Sequence, residues 1–167
     1  MSSLIKLAHK LKIKNAGFTL IEIIVVIGVI SIIVSVTYTI LYRFNNQQAI
    51  NNAYENLKND LNEAKSSASS QVIVTLTCKQ PGRRFVGYQV NFGSNFYAIT
   101  DRCTDGVNYY SEQIRRVNLP SGIRFSTSHP YVLFNILDGS VTLPGTVTIT
   151  DGSRFKSVTV ESAGIIK

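Results

Sequence analysis

Histidine is nearly missing from this sequence, with His9 and His129 the only two. General acid–base chemistry leans on histidine, and no serine, cysteine or aspartate stands in a recognisable nucleophile setting with either one. Neither a Gly-x-Gly-x-x-Gly run nor a phosphate-binding loop occurs. These absences argue against an enzyme and call for no cofactor. Cysteine is as rare, with Cys78 and Cys103 alone. Two thiols without a nearby histidine lack the ligand count of a structural zinc, so no metal is expected. Acids are absent from residues 1–17, which hold Lys6, Lys10, Lys12 and Lys14. Proline is absent from 18–41, where the only charge is Glu22.

What is present follows from those gaps. The 24 residues of 18–41 are an apolar run, and as a helix they rise roughly 36 Å, enough to cross a bilayer. Four lysines before the run and only Arg43 close behind it place the N-terminus in the cytoplasm and the rest of the chain outside. An ordinary secretory signal has an apolar region of about 7–15 residues ending in a small-x-small cleavage site. This run is longer and ends without one. A plain signal anchor fits the hydropathy equally well but leaves Glu22 unexplained. A carboxylate early in a membrane helix costs several kcal/mol unless it is paired or protonated.

The order Gly17-Phe18-Thr19-Leu20-Ile21-Glu22 followed by an apolar helix resembles the type III signal of the type IV pilin and type II secretion pseudopilin superfamily. The resemblance implies cleavage by prepilin peptidase between Gly17 and Phe18, and methylation of the new amine. It also implies that Glu22 pairs with the Phe18 amine of a neighbouring subunit, setting axial register. The implied partners are the peptidase, other pilins or pseudopilins, an inner-membrane assembly platform and the lipid bilayer. Many major pilins carry a proline late in this helix, and this chain does not.

The chain then reads as a cleaved basic leader (1–17), a transmembrane or filament-core helix (18–41), an amphipathic continuation (42–70) and a β-rich head (71–167). The net charge of +7 is largely topological, because the leader removes four lysines and the head retains +4. In 42–70, Ile50, Ala53, Tyr54, Leu57, Leu61 and Ala64 recur at helical spacing among asparagines, one apolar stripe that needs a sheet to cover it. From Gln71 the period becomes two. Strands are expected at 72–78, 86–92, 96–100, 117–119, 123–126, 131–137, 146–150 and 157–160, divided by Gly, Pro and Asn turns. A long helix laid on an antiparallel sheet makes the fold class α+β.

The rhythm of strands and glycines from Arg116 to Ile166 is similar to the C-terminal halves of GspH/FimT-type minor pilins and pseudopilins. Cys78 and Cys103 fall in the part placed outside the cytoplasm and read as a disulfide, the alternative being two buried thiols. Closing that loop would stabilise the head by roughly 3 kcal/mol. One alternative function is a pilus-associated DNA receptor for DNA uptake, with Arg83, Arg84, Arg154 and Lys156 contacting phosphates. DNA-binding FimT-type proteins end in Gly-Arg-x-Arg. The matching place, Gly164-Ile165-Ile166-Lys167, keeps only the glycine and the last basic residue.

Overall fold

The computed structural model describes residues 18–127 and 129–167. The leader, with Gly17 and the bond after it, lies outside the described residues. One helix, α1 (Leu20–Ser69), is followed by seven strands: β1 (Arg84–Phe92), β2 (Phe96–Thr104), β3 (Tyr109–Asn118), β4 (Arg124–Thr127), β5 (Tyr131–Asn135), β6 (Gly145–Thr150) and β7 (Phe155–Val160). They form a four-stranded sheet in the order β3-β2-β1-β5 and a three-stranded sheet in the order β4-β6-β7. Every pairing between strands is antiparallel. The fold is α+β. By compactness the chain divides after Arg43, and Phe44–Lys167 is one unit holding the second part of α1 and both sheets.

Within that unit the helical stripe is what the head is built on. Ile50, Ala53, Leu57, Leu61, Ala64 and Ala68 are all buried, Leu57 and Leu61 completely. They share one core with Tyr88, Val90, Tyr97 and Ile99 of the first sheet and with Val147, Ile149, Val158 and Val160 of the second. Asparagine is a poor helix former, so packing of this stripe holds the Asn-rich half helical. The helix ends in a Schellman motif: the Gln71 N–H donates to Ala68 O at 3.1 Å and the Val72 N–H to Ser67 O at 3.1 Å. Gln71 sits at φ +54°, the position where glycine is usual.

The expected strand at 72–78 does not form. Its alternation is real, but it runs the other way round from a core strand. Thr75 and Cys78 point inward, while Val72, Val74 and Leu76 are exposed. The inward threonine is held by a buried aspartate, Asp101, in place of a strand partner. The strand expected at 117–119 is only the end of β3, whose charged and polar residues on a sheet edge mask any alternation. The strand expected at 131–137 stops at Asn135, because Leu137 adopts φ +73° in a turn. Strand β2 runs four residues beyond its expected end, to Thr104. In β1 a register shift between Phe85 and Gly87 leaves Gly87 at φ +153°, and an added Cβ there would lie 1.9 Å from Phe134 O on β5. Only glycine fits that approach.

Urea unfolding of the Phe44–Lys167 fragment tests this account. Leu57→Ala or Leu61→Ala should lower stability by about 2–5 kcal/mol, since each leaves a cavity between helix and sheets. Gln71→Gly should raise it by about 0.5–1 kcal/mol by relieving a left-handed non-glycine residue.

Candidate functional site

The helix begins on a cap. Thr19 Oγ1 accepts the Glu22 N–H at 3.3 Å and Thr19 O accepts the Ile23 N–H at 3.3 Å. Thr-x-x-Glu is the capping-box pattern, and a carboxylate in the first turn faces the positive end of the helix dipole. Glu22 therefore has a local role besides any partner from another chain. Thr19 is the functional residue that reading the sequence for charge and cleavage passes over, although Thr followed three residues later by Glu before an apolar run is legible there. Phe18, just ahead of the cap, is 78% exposed.

Behind the cap, Leu20–Tyr38 is a span of 19 residues with mean hydropathy 2.8 and no part of it buried within the chain. It rises roughly 28 Å, close to the ~30 Å hydrocarbon core of a bilayer. Each Ile, Leu or Val left facing water forgoes about 1.5–3 kcal/mol, so the span calls for lipid or other apolar helices around it. Its serine and threonine hydroxyls are already satisfied within the helix. Ser31 donates to Ile27 O, Ser35 to Ser31 O and Thr37 to Ile33 O, each at 2.8 Å. That is how polar side chains are accommodated where no water reaches.

In the head, Cys78 and Cys103 are bonded, with Cα atoms 5.5 Å apart. The bond fastens segment 71–83 onto β2. Beside it Asp101, fully buried on β2, accepts the Thr75 N–H at 3.1 Å and the Thr75 hydroxyl. The Thr77 side chain, and then its N–H at 3.2 Å, donate to Glu112 of β3 and lower the Glu112 pKa. Further along the same face, Arg115 bridges Asp60 and Glu63 of the helix, and Asp60 also accepts the Tyr97 hydroxyl. Burial, then that bond to Asp60, pushes the Tyr97 phenol well above its usual range. A cleft of about 440 Å³ opens here, walled by Ala64, Val72, Val74, Ile99 and Ile114 with Glu63 and Arg115 at its side.

The four basic residues singled out for phosphate contact are distributed over both sheets. Arg83 donates to Thr77 O at 2.6 Å and stacks over the Tyr110 ring at 3.8 Å, just ahead of β1. Arg84 opens β1 and is exposed. Arg154 pairs with Asp151 at 2.9 Å in the β6–β7 turn, and Lys156 on β7 lies over the Tyr54 ring at 4.8 Å. The structure brings Arg83 and Arg84 together, and separately Arg154 and Lys156.

With this geometry in hand, the comparisons agree with the helix start. The prokaryotic N-terminal methylation motif matches residues 12–38. The chain thus carries a type IV pilin-like signal that covers the end of the leader, the Thr19 cap and the apolar span. No curated protein and no solved structure matches the chain.

Two outcomes test the head. Thr75→Val, which removes a hydroxyl from a buried carboxylate, should lower the stability of the Phe44–Lys167 fragment by about 1.5–3 kcal/mol in urea. At the β2–β3 turn, N–H groups of Asn108 and Val107 and the Tyr110 hydroxyl donate to Asp105 and hold its pKa down to about 2 from 3.8. A carboxylate depressed on folding stabilises above its unfolded pKa and loses that contribution as pH falls through its folded one. Amide exchange at Val107 and Asn108 should therefore accelerate as pH drops from about 4 towards 2, after correction for intrinsic rates. The Asp105→Asn variant should show no such step.

Proposed function

We propose that the chain is a minor pilin or pseudopilin, a non-enzymatic filament subunit inserted in the inner membrane with its N-terminus in the cytoplasm and its head outside. Prepilin peptidase cuts between Gly17 and Phe18 and methylates the new amine. The subunit is then drawn from the bilayer by the assembly platform into a fibre whose core is the packed apolar helices of this and other pilins. The observation that carries this reading is the methylation motif at 12–38 running without a break into a 19-residue apolar span with no covering side chains of its own. The internal disulfide supports a head that matures in an oxidising compartment.

Glu22 gives the reading its mechanism. In the fibre its carboxylate faces the methylated Phe18 amine of a neighbour, and pairing two charges in an apolar core relieves the cost of burying either alone. A subunit one step out of register leaves both unpaired, so the pair selects the axial position. The assignment to the GspH/FimT type rests on the strand-and-glycine rhythm of the C-terminal half, and it leaves the secretion or pilus system unspecified.

The test is the mass and N-terminal residue of the membrane-extracted protein with and without its prepilin peptidase. A chain beginning at methylated Phe18, with Gly17→Leu left uncut, is the expected result. An intact leader in both strains overturns the reading. Glu22→Val should still be cleaved but should be lost from sheared filament fractions by at least about tenfold, as expected if a buried charge is left unpaired.

A further inference from the structure

The four-stranded sheet has two faces, and the core uses one. Tyr88, Val90, Tyr97 and Ile99 turn towards α1, and Asp101 and Cys103 on the same side of β2 are covered by segment 71–83. The register fixes what lies opposite. Gln89 pairs with Thr100, Thr100 with Gln113, Ala98 with Arg116, Arg102 with Ser111 and Thr104 with Tyr109. Partners across an antiparallel ladder share a face, so these residues, with Arg84 opposite Thr104, lie on the side away from α1, where Ala98 and Thr100 are themselves buried and the residues of β3 are exposed. No Asp or Glu occupies that face on any of the four strands. Asp101 and Glu112 are paired with each other on the covered side.

Two of the three arginines on this face are held flat against aromatic rings. The Arg116 guanidinium lies 3.7 Å from the Phe96 ring centre, and the Arg102 guanidinium lies 4.4 Å from that of Tyr109. Arg102 Nη1 donates to Gln89 Oε1 at 2.9 Å, the Gln89 amide donates to Asn91, and the Asn91 amide donates to Thr100 Oγ1 at 3.3 Å. Arg115 and Arg154, in contrast, are neutralised by carboxylates. The result is a pre-ordered platform. It offers three guanidinium groups without a carboxylate partner, those of Arg84, Arg102 and Arg116, a Tyr109 ring that is 65% exposed, and exposed Ser111 and Gln113, which both donate and accept.

We infer that this outward face of the four-stranded sheet binds an acidic polysaccharide, a polymer of uronate-type sugars. Guanidinium forks match carboxylates in two-point geometry. Side-chain amides and hydroxyls suit a ligand dense in hydroxyl groups, because each can serve as donor and acceptor. The Tyr109 ring supplies an apolar plane with a polar rim for the carbon face of a sugar. Single-stranded nucleic acid also stacks on aromatic rings, but it binds through a groove of cations tracking its backbone, whereas on this sheet face the row of Gln89, Thr100 and Gln113 separates Arg116 from Arg102 and Arg84. The inference goes beyond the filament reading and does not depend on it. Binding itself is a property of the head and is tested without assembly.

The experiment is affinity electrophoresis of the Phe44–Lys167 fragment, a compact unit with its own core and disulfide, in native gels containing polygalacturonate or dextran. Retardation by polygalacturonate and none by dextran is expected, weakening as salt is raised through physiological strength. Arg102→Gln with Arg116→Gln should weaken the apparent affinity by at least about tenfold, losing two charge-assisted contacts. Tyr109→Ala should weaken it by a smaller factor, and Lys156→Gln, on β7 of the other sheet, should leave it unchanged. If the double variant does not fold, Tyr109→Ala and Gln113→Ala, on exposed sites, carry the test. Equal retardation by dextran, no retardation by polygalacturonate, unchanged binding by the folded variants, or displacement by oligothymidylate at lower concentration than by oligogalacturonate would each overturn the inference.

Discussion

One contact surface makes the head possible: the stripe from Ile50 to Ala68 pressed against the inner faces of two sheets. A head of this size has too little surface to bury by folding on itself, and its sheets are of three and four strands. Leu57 and Leu61, with no exposure at all, close the space between them. The dependence runs both ways. The asparagines around the stripe do little to favour helix, so the sheets keep the second half of α1 helical while the stripe keeps the sheets together.

The first half of α1 obeys the opposite rule. It is predominantly apolar, its serine and threonine hydroxyls are turned back on its own carbonyls, and none of the described residues buries it. Such a segment is stable only in lipid or among its like. A single continuous helix thus joins a part that must leave water to a part that builds a folded domain, and the Thr19 cap with Glu22 sets where it begins. The prokaryotic N-terminal methylation motif over residues 12–38 takes in both this helix start and the apolar span.

The two faces of the four-stranded sheet also differ in kind. On the inner face Arg115 is matched by Asp60 and Glu63, and Asp101 is held through one oxygen by Thr75. The outer face carries charges that are not matched by a carboxylate. Segment 71–83, locked by its disulfide and by Asp101, gives up ladder pairing to cover what the helix does not reach. It turns Thr75 inward and leaves Val72, Val74 and Leu76 at the surface beside the cleft.

Much of this was legible in the residues alone. The span, the pilin-like signal, the buried stripe apart from half-buried Tyr54 and the pairing of Cys78 with Cys103 are local or compositional properties, and each agrees with the structure or with the matched motif where these reach. What the residues could not settle was who faces whom. The β-branched run at 72–78 reads as a strand, yet it has no ladder, because a buried aspartate 26 positions away claims Thr75 and no strand lies beside it. Strand β3 was hidden because an edge strand can be polar on both sides. The arginines gave no sign of which would be neutralised and which left open. Periodicity and propensity act within a few residues, so the sequence determined the elements and their apolar faces. Register, the division of charges between two sides of one sheet, and the outward platform come from contacts across long separations, and only the tertiary structure decided them.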